Sequence, residues 1–424
     1  MKYFLSFLLC SLMLSTAASA QAKTDKFLAQ LLQKHPAKFK TLLANPGKFK
    51  IQILYTQIDR DRNNTPSFKT YRYQVDPNNY FNPASTVKFP AALMALEKIN
   101  TLKIDGLTKE TVMLTDSAYQ GQTKVLQDKT SANGFPSIAH YIKKILVTSD
   151  NDAYNRLYEF MGQEPLNEGL KAKGYASVRL PIRLSRFLPI ELDQYTNPVR
   201  FLKDGQVLYQ QGLIKSGKDY KNPTPILMGK GNVTNEDKLV MEPRDFAYSN
   251  TFALEDQHQM LRAVLFPASV PVQNRFNLTP EDYRFLYQYL SQLPRETAYP
   301  AYAEKQYPDA FVKYLLFGGP TRTERIPEHI RIFNKIGQSF GFLTDNAYVV
   351  DFENKVEFLL TATVHVNEDE IYNDGKYEYD TIGFPFLRDL GQVVYEHELH
   401  RKRKHQPDLS QFKLTYDKPR PPKS

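Results

Sequence analysis

Residues 81–93 read FNPASTVKFPAAL. Ala91, Leu93, Leu96 and Ile99 fall near helical spacing, so an apolar helix is expected to begin here. Ser85 and Lys88 then lie one helical turn apart on one face. A nucleophilic serine needs a group to take its proton. A lysine can do so only where burial or a neighbouring cation holds it neutral. If Ser85 opens the helix, its backbone N–H faces a developing oxyanion and the helix dipole helps. The tetrad alone is weak. A second Ser-x-x-Lys pair, Ser410 and Lys413, stands in a polar tail and is read as chance.

Working outward, TDKFLAQLLQKHPAKFKTLLAN reads as one or two amphipathic helices. Phe49, Ile51, Ile53 and Tyr55 alternate with polar residues, as do Tyr71, Tyr73 and Val75, so two strands precede Ser85. After it, FPSIAHYIKKILV is an amphipathic helix that stops at TSDND, and another follows through Leu157 and Phe160. LTPEDYRFLYQYLSQLP is a helix with Thr279 as N-cap, Pro280 first and Asp282 closing a capping box. PILMGKGNVTNEDKLVM suggests a hairpin turning at Gly229 to Asn232. HIRIFNKIG, NAYVVDF and KVEFLLTATVHV are three β-runs, and FPFLRDLGQVVYEHELH is a closing helix. The order implies an α+β fold. One five-stranded antiparallel sheet is built from both chain ends and flanked by helices. An all-helical subdomain is inserted between strands two and three.

Two further motifs give the first one company. Ser149, Asp150 and Asn151 fall at a break between helices, where polar side chains can face a cleft. Asn334 to Gly337, NKIG, ends a β-run. A serine hydroxyl, a carboxamide and a lysine on a strand suit binding and protonation of a peptide-like amide. Each string alone has a plainer reading: a solvated lysine, a capping turn, nothing at all. In this order they resemble the penicillin-recognising serine enzymes. PASTVKFPAAL, SDNDAYNRLYEF and KIGQSFGFLTDNAYVVDF look most like class A β-lactamases within the β-lactamase and D,D-peptidase superfamily. The resemblance implies that Ser85 is the acylated nucleophile and Lys88 its activating partner. It implies that Ser149 relays a proton to the leaving nitrogen, Asn151 holds the substrate amide carbonyl, and Lys335 supplies positive charge near a substrate carboxylate. Gly337 lies in the strand motif, and the N–H groups of Ser85 and Gln338 would form the oxyanion hole. The implied fold, a sheet domain beside a helical one with the site between, agrees with the pattern.

Two departures stand out. The family's strand motif has Thr or Ser between Lys and Gly, and here Ile336 stands instead, which puts carboxylate recognition in question. The glutamate that positions the deacylating water should lie on a loop like VRLPIRLSRFLPIELDQYTNP, residues 178–198. Glu191, with Asn197 six residues on, is the candidate for that base. A rival second motif, Ser131–Ala132–Asn133, sits in a Gly-containing loop and ranks lower.

Composition bounds the rest. Lys2, the apolar run YFLSFLLCSLMLS and ASA before Gln21 read as a signal peptide over 1–20. A lipoprotein at Cys10 is not expected, because Leu9 is bulky. The sole cysteine leaves with the leader, so neither disulfides nor thiol catalysis are expected in the mature chain. The expected plan is a serine β-lactamase-like domain over 21–405, its sheet part 21–84 and 325–405 and its helical part 85–324. A basic Pro-rich tail, 406–424, is expected to be solvated. The net charge is +9, and eight Lys/Arg against two Asp lie from Arg401 onward, so the body is nearly neutral. That argues against nucleic acid. "EHELH" spaces His397 and His400 at i+3, unlike a zinc-protease helix, and no metal or organic cofactor is expected. The expectation is a periplasmic or secreted monomer, with no membrane span after cleavage, acting on a small-molecule or peptidoglycan-like substrate. A penicillin-binding D,D-peptidase or esterase, and a non-catalytic wall-binding protein, are the alternatives.

Overall fold

Apolar residues alternate at both ends of the chain, and both ends pair into one sheet. In the computed structural model, which describes residues 22–419 apart from 187, 188, 320 and 322, five long strands do so. They are β1 (Gln52–Arg60), β2 (Pro66–Tyr73), β3 (Ile330–Ser339), β4 (Phe342–Asp351) and β5 (Val356–His365), in the order β3-β4-β5-β1-β2. Every pairing is antiparallel. The expected leader lies outside the described residues. β2 starts at Pro66, earlier than alternation alone suggests, because the turn needs only 61–65: the Asp61 carboxylate accepts the N–H groups of Asn63 and Thr65.

β4 and β5 are buried at every position. That requires cover on both faces. On one face Ile332, Ile336, Val349, Phe358 and Leu360 pack with α1 (Lys26–Gln33), α2 (Pro36–Ala44) and α9 (Phe384–His400). α1 and α2 are two helices because Pro36 can open a helix but not continue one. On the other face Phe333, Tyr348, Val350 and Leu359 meet the inserted segment. Its helices are α3 (Lys88–Leu102), α4 (Ile138–Thr148), α5 (Asn151–Met161), α6 (Gln163–Ala172), α7 (Leu254–Leu265) and α8 (Pro280–Ser291). α3 is buried at every position from Lys88 to Leu96, so it runs through the core of the insert. α8 has the expected capping box between Thr279 and Asp282.

The insert also carries short strands. Val112–Thr115 pairs with Val199–Lys203, which pairs with Gln206–Gln211. The hairpin expected at Gly229 to Asn232 turns later. Gly231–Val233 pairs with Leu239–Val240, and the Thr234 hydroxyl accepts the N–H groups of Glu236 and Lys238 to make the turn. The C-terminal segment also departs from expectation: of the expected tail, 420–424 lie outside the described residues, and 406–419 are docked on the body through a few buried side chains. Leu409 and Phe412 are buried, and the Phe412 ring packs on Phe266, Phe333 and Tyr348. Arg331 stacks on Tyr416, and the Asp417 carboxylate accepts from Gln288, Tyr289 and Gln292. Two apolar residues spaced to fill a gap beside the sheet outweigh the charge around them. No helix among the described residues is long and apolar enough to cross a membrane.

Candidate active site

Ser85 stands in a tight 3-10 turn, Ala84–Val87, that runs straight into α3. Asn82 Oδ1 accepts the Ala84 N–H at 2.8 Å, and the Pro83 carbonyl accepts from the Thr86 N–H at 3.0 Å and its hydroxyl at 2.8 Å. This leaves Ser85 half-buried and Lys88, one turn on, fully buried. β3 is an edge strand, so its outer backbone groups are not used by the sheet. It passes close to the serine turn. A Cβ on Gly337 would sit 2.4 Å from the Pro83 carbonyl oxygen, an approach only glycine permits. The backbone at Gly337 thereby lies against Pro83, Ala84 and Thr86, the residues that flank Ser85.

The break between α4 and α5 supplies the second element. Ser149 ends α4 with a left-handed φ of 61°, and Asp150 caps α5 by accepting the Ala153 N–H at 2.8 Å. Asp150 is thus the cap that the plainer reading of this triplet expects. The turn brings Ser149 and Asn151 to Lys88. Lys88 Nζ donates to the Ser149 carbonyl, to Asn151 Oδ1 at 2.5 Å and toward Ser149 Oγ at 3.3 Å. Lys335 Nζ, from the edge strand, donates to Ser149 Oγ at 2.8 Å and to the Ile336 carbonyl at 2.9 Å. One serine hydroxyl therefore lies between two buried lysines.

Burial sets their charge. It pulls the Lys88 ammonium down from 10.5 to about 7, opposed by the Asp150 carboxylate. Burial, then the charge of Lys88, pushes Lys335 well below the usual lysine range. Near neutral pH Lys88 is thus available as a free base, as a proton acceptor for Ser85 must be.

Lys88, Ser149, Asn151 and Lys335 are joined by hydrogen bonds; Ser85 lies one turn before Lys88, Gly337 lies against the serine turn, and Gln338 follows it on β3, whereas Glu191 is bonded to none of them. It is exposed on the turn Ile190–Gln194 and makes no hydrogen bond or ion pair among the described residues. The loop before it is held by other groups. Arg183 pairs with Asp193 at 2.6 Å and with the buried Glu159 at 3.0 Å, and Arg156 also pairs with Glu159. Asn197 is structural: its Nδ2 donates to the carbonyls of Asp116 and Thr123. Ser185, which no sequence signal marked, reaches the site instead. Its Oγ accepts from Asn151 Nδ2 at 2.6 Å, and Asn155 holds the loop: its Nδ2 donates to the Leu184 carbonyl and its Oδ1 accepts the Leu184 N–H.

Ile336 lies in the core. Strand alternation turns it away from Lys335 and Gly337, and it is buried in the apolar cluster shared with α9. Isoleucine there fills core. The rival Ser131 and Asn133 bond each other and Asp128 in a closed turn. His397 packs against Phe27 and Tyr55, and Glu398 beside it is paired with Arg401 and Arg403.

A family model described as the beta-lactamase enzyme family matches residues 36–397. The chain belongs to that family. Family and fold make it a β-lactamase-like hydrolase. Among solved structures, the TLA-1 extended spectrum β-lactamase is 12% identical with a TM-score of 0.48, over 89% of this chain and 99% of that one. A class A β-lactamase from Clostridium kluyveri DSM 555 is 13% identical with a TM-score of 0.46, over 86% of this chain and 98% of that one. No curated protein matches.

Proposed function

We propose that the chain is an exported active-site serine hydrolase that opens β-lactam or related amide and ester bonds through an acyl-enzyme on Ser85. Lys88, as a free base, takes the Ser85 proton while Oγ bonds to the substrate carbonyl carbon. The N–H groups of Ser85 and Gln338 hold the oxyanion. Ser149 passes a proton from Lys88 to the leaving nitrogen as the C–N bond breaks. Lys335 keeps the Ser149 hydroxyl in place and meets a substrate carboxylate. Asn151 exchanges its contact with Ser185 for the substrate amide. Water then releases the acyl group and restores Ser85. No cofactor enters these steps, and the partner is a small molecule or peptidoglycan-like fragment met by a monomer in the periplasm or outside the cell.

The observation that carries this reading is the Ser149 hydroxyl held between Lys88 and Lys335. A second reading, a penicillin-binding D,D-peptidase or esterase that deacylates slowly, is favoured by the exposure of Glu191. Hydrolysis of a chromogenic cephalosporin by the wild type and by Ser85→Ala tests the proposal. Turnover lost in the variant supports it. Equal turnover in both removes Ser85 from the reaction.

A further inference from the structure

Behind the edge strand lies a second set of buried groups that the proposed reaction does not use. Lys313 follows the turn Asp309–Val312 and is fully buried. Its Nζ reaches Asn334 Oδ1 at 2.6 Å and the Leu290 carbonyl at 2.6 Å. Asn334 is also buried, and its Nδ2 donates to Asp345 Oδ1 at 2.7 Å and to the Val312 carbonyl at 2.7 Å. The other oxygen of Asp345 accepts the N–H groups of Tyr314 and Leu315, each at 3.0 Å. Thus an amine touches a carboxamide, the carboxamide touches a carboxyl group, and water is excluded from all three.

Those are the requirements for acyl transfer from a side-chain amide to a lysine: a neutral amine, a fixed carbonyl and a proton carrier. Burial lowers the Lys313 ammonium and raises the Asp345 carboxyl, so both lean toward their uncharged forms. An amine with its free pair exposed is a nucleophile, and a protonated carboxyl can hand its proton to a leaving nitrogen. The fold holds the three groups from different elements: the loop after α8, strand β3 and strand β4.

We propose that Lys313 and Asn334 become joined by an intramolecular isopeptide bond, with Asp345 carrying the proton. The bond from Nζ to Asn334 Cγ forms and the bond from Cγ to Nδ2 breaks. One proton from Nζ ends on Nδ2, which leaves as ammonia. Nothing is oxidised or reduced and no co-reactant is required. The product ties the 309–316 loop to the strand that carries Lys335, in a chain whose mature part has no cysteine to make a disulfide. It is independent of any reaction at Ser85.

The test is mass spectrometry of the purified, denatured full mature protein, followed by peptide mapping. Gln21, the expected mature N-terminus, can also lose ammonia on cyclising, so the loss has to be mapped. The expected result is one linked species containing the Lys313 and Asn334 peptides, lighter by one ammonia than their sum. Lys313→Arg keeps a cation but removes the nucleophile, and it should give the two peptides separately at full mass. Asp345→Asn should leave most of the protein unlinked. Separate, full-mass peptides from the wild type, after prolonged incubation at about pH 6.5, between the values of Asp345 and Lys313, would overturn the proposal even if both variants failed to fold.

Discussion

Replacing Lys88 by methionine should change how stability depends on pH. The ammonium has an ordinary value of 10.5 and lies at about 7 in the fold. Between those values the unfolded chain binds a proton that the folded chain does not, so stability rises with pH across this window. Each pH unit is worth about 1.4 kcal/mol, and the full window about 5 kcal/mol. Methionine matches the length without titrating. It leaves the Ser149 carbonyl and Asn151 Oδ1 without their donor, but that cost is the same at every pH. The charge of Lys88 also acts on Lys335, but above pH 7 folded Lys88 is mostly uncharged, so its removal changes Lys335 little in this window. The slope is halved at pH 7, where folded Lys88 is half protonated, so the variant's stability relative to wild type should fall by about 2 kcal/mol from pH 7 to pH 9. Urea unfolding followed by tyrosine fluorescence measures this, since the chain has 27 tyrosines and no tryptophan. A difference that is equal at the two pH values would refute the claim that the fold holds Lys88 neutral.

Acylation should show the same group from the functional side. Its second-order rate constant should drop about tenfold per pH unit below pH 7, as Lys88 takes a proton, and a flat profile from pH 5 to 8 would rule Lys88 out as base. Glu191→Gln should leave the lifetime of the acyl-enzyme unchanged, because the side chain is exposed; a markedly longer-lived adduct in that variant would restore Glu191 to the mechanism. Gly337→Ala should cost about 1–3 kcal/mol and slow acylation, since its Cβ meets the Pro83 carbonyl; unfolding and labelling rates check both. Phe412→Ala should cost about 3–5 kcal/mol by opening a cavity among Phe266, Phe333 and Tyr348, and an unchanged denaturation midpoint would show that the tail is not part of the core.

The legible parts of this chain are those where local pattern and chemistry coincide. The five strands alternate or run apolar, Pro36 and the Thr279 box punctuate helices, and Ser85 with Lys88 shares a helix face. Ser149 was legible as a break between helices, and the break is what aims it. The burial of Ile336 was not legible, because a motif gives residues and omits the face each one takes. Ser185 and the Lys313–Asn334–Asp345 set had no local signal, since their meaning lies in contacts made across distant segments. The tail was misread because its charges are frequent and its buried residues, Pro407, Leu409 and Phe412, are few; a sequence window weighs composition, whereas the fold weighs the gap that Phe412 fills.

The central claim is that Ser85 is acylated through Lys88 and Ser149. Intact mass of the mature protein mixed with a penicillin, followed over time beside Ser85→Ala, tests it most directly. The account predicts a Ser85-dependent adduct. If it clears as the drug is consumed, the chain is a turning-over β-lactamase, and if it persists, the slow-deacylating reading holds. An adduct that forms equally on Ser85→Ala, or no adduct on either protein, would contradict the account.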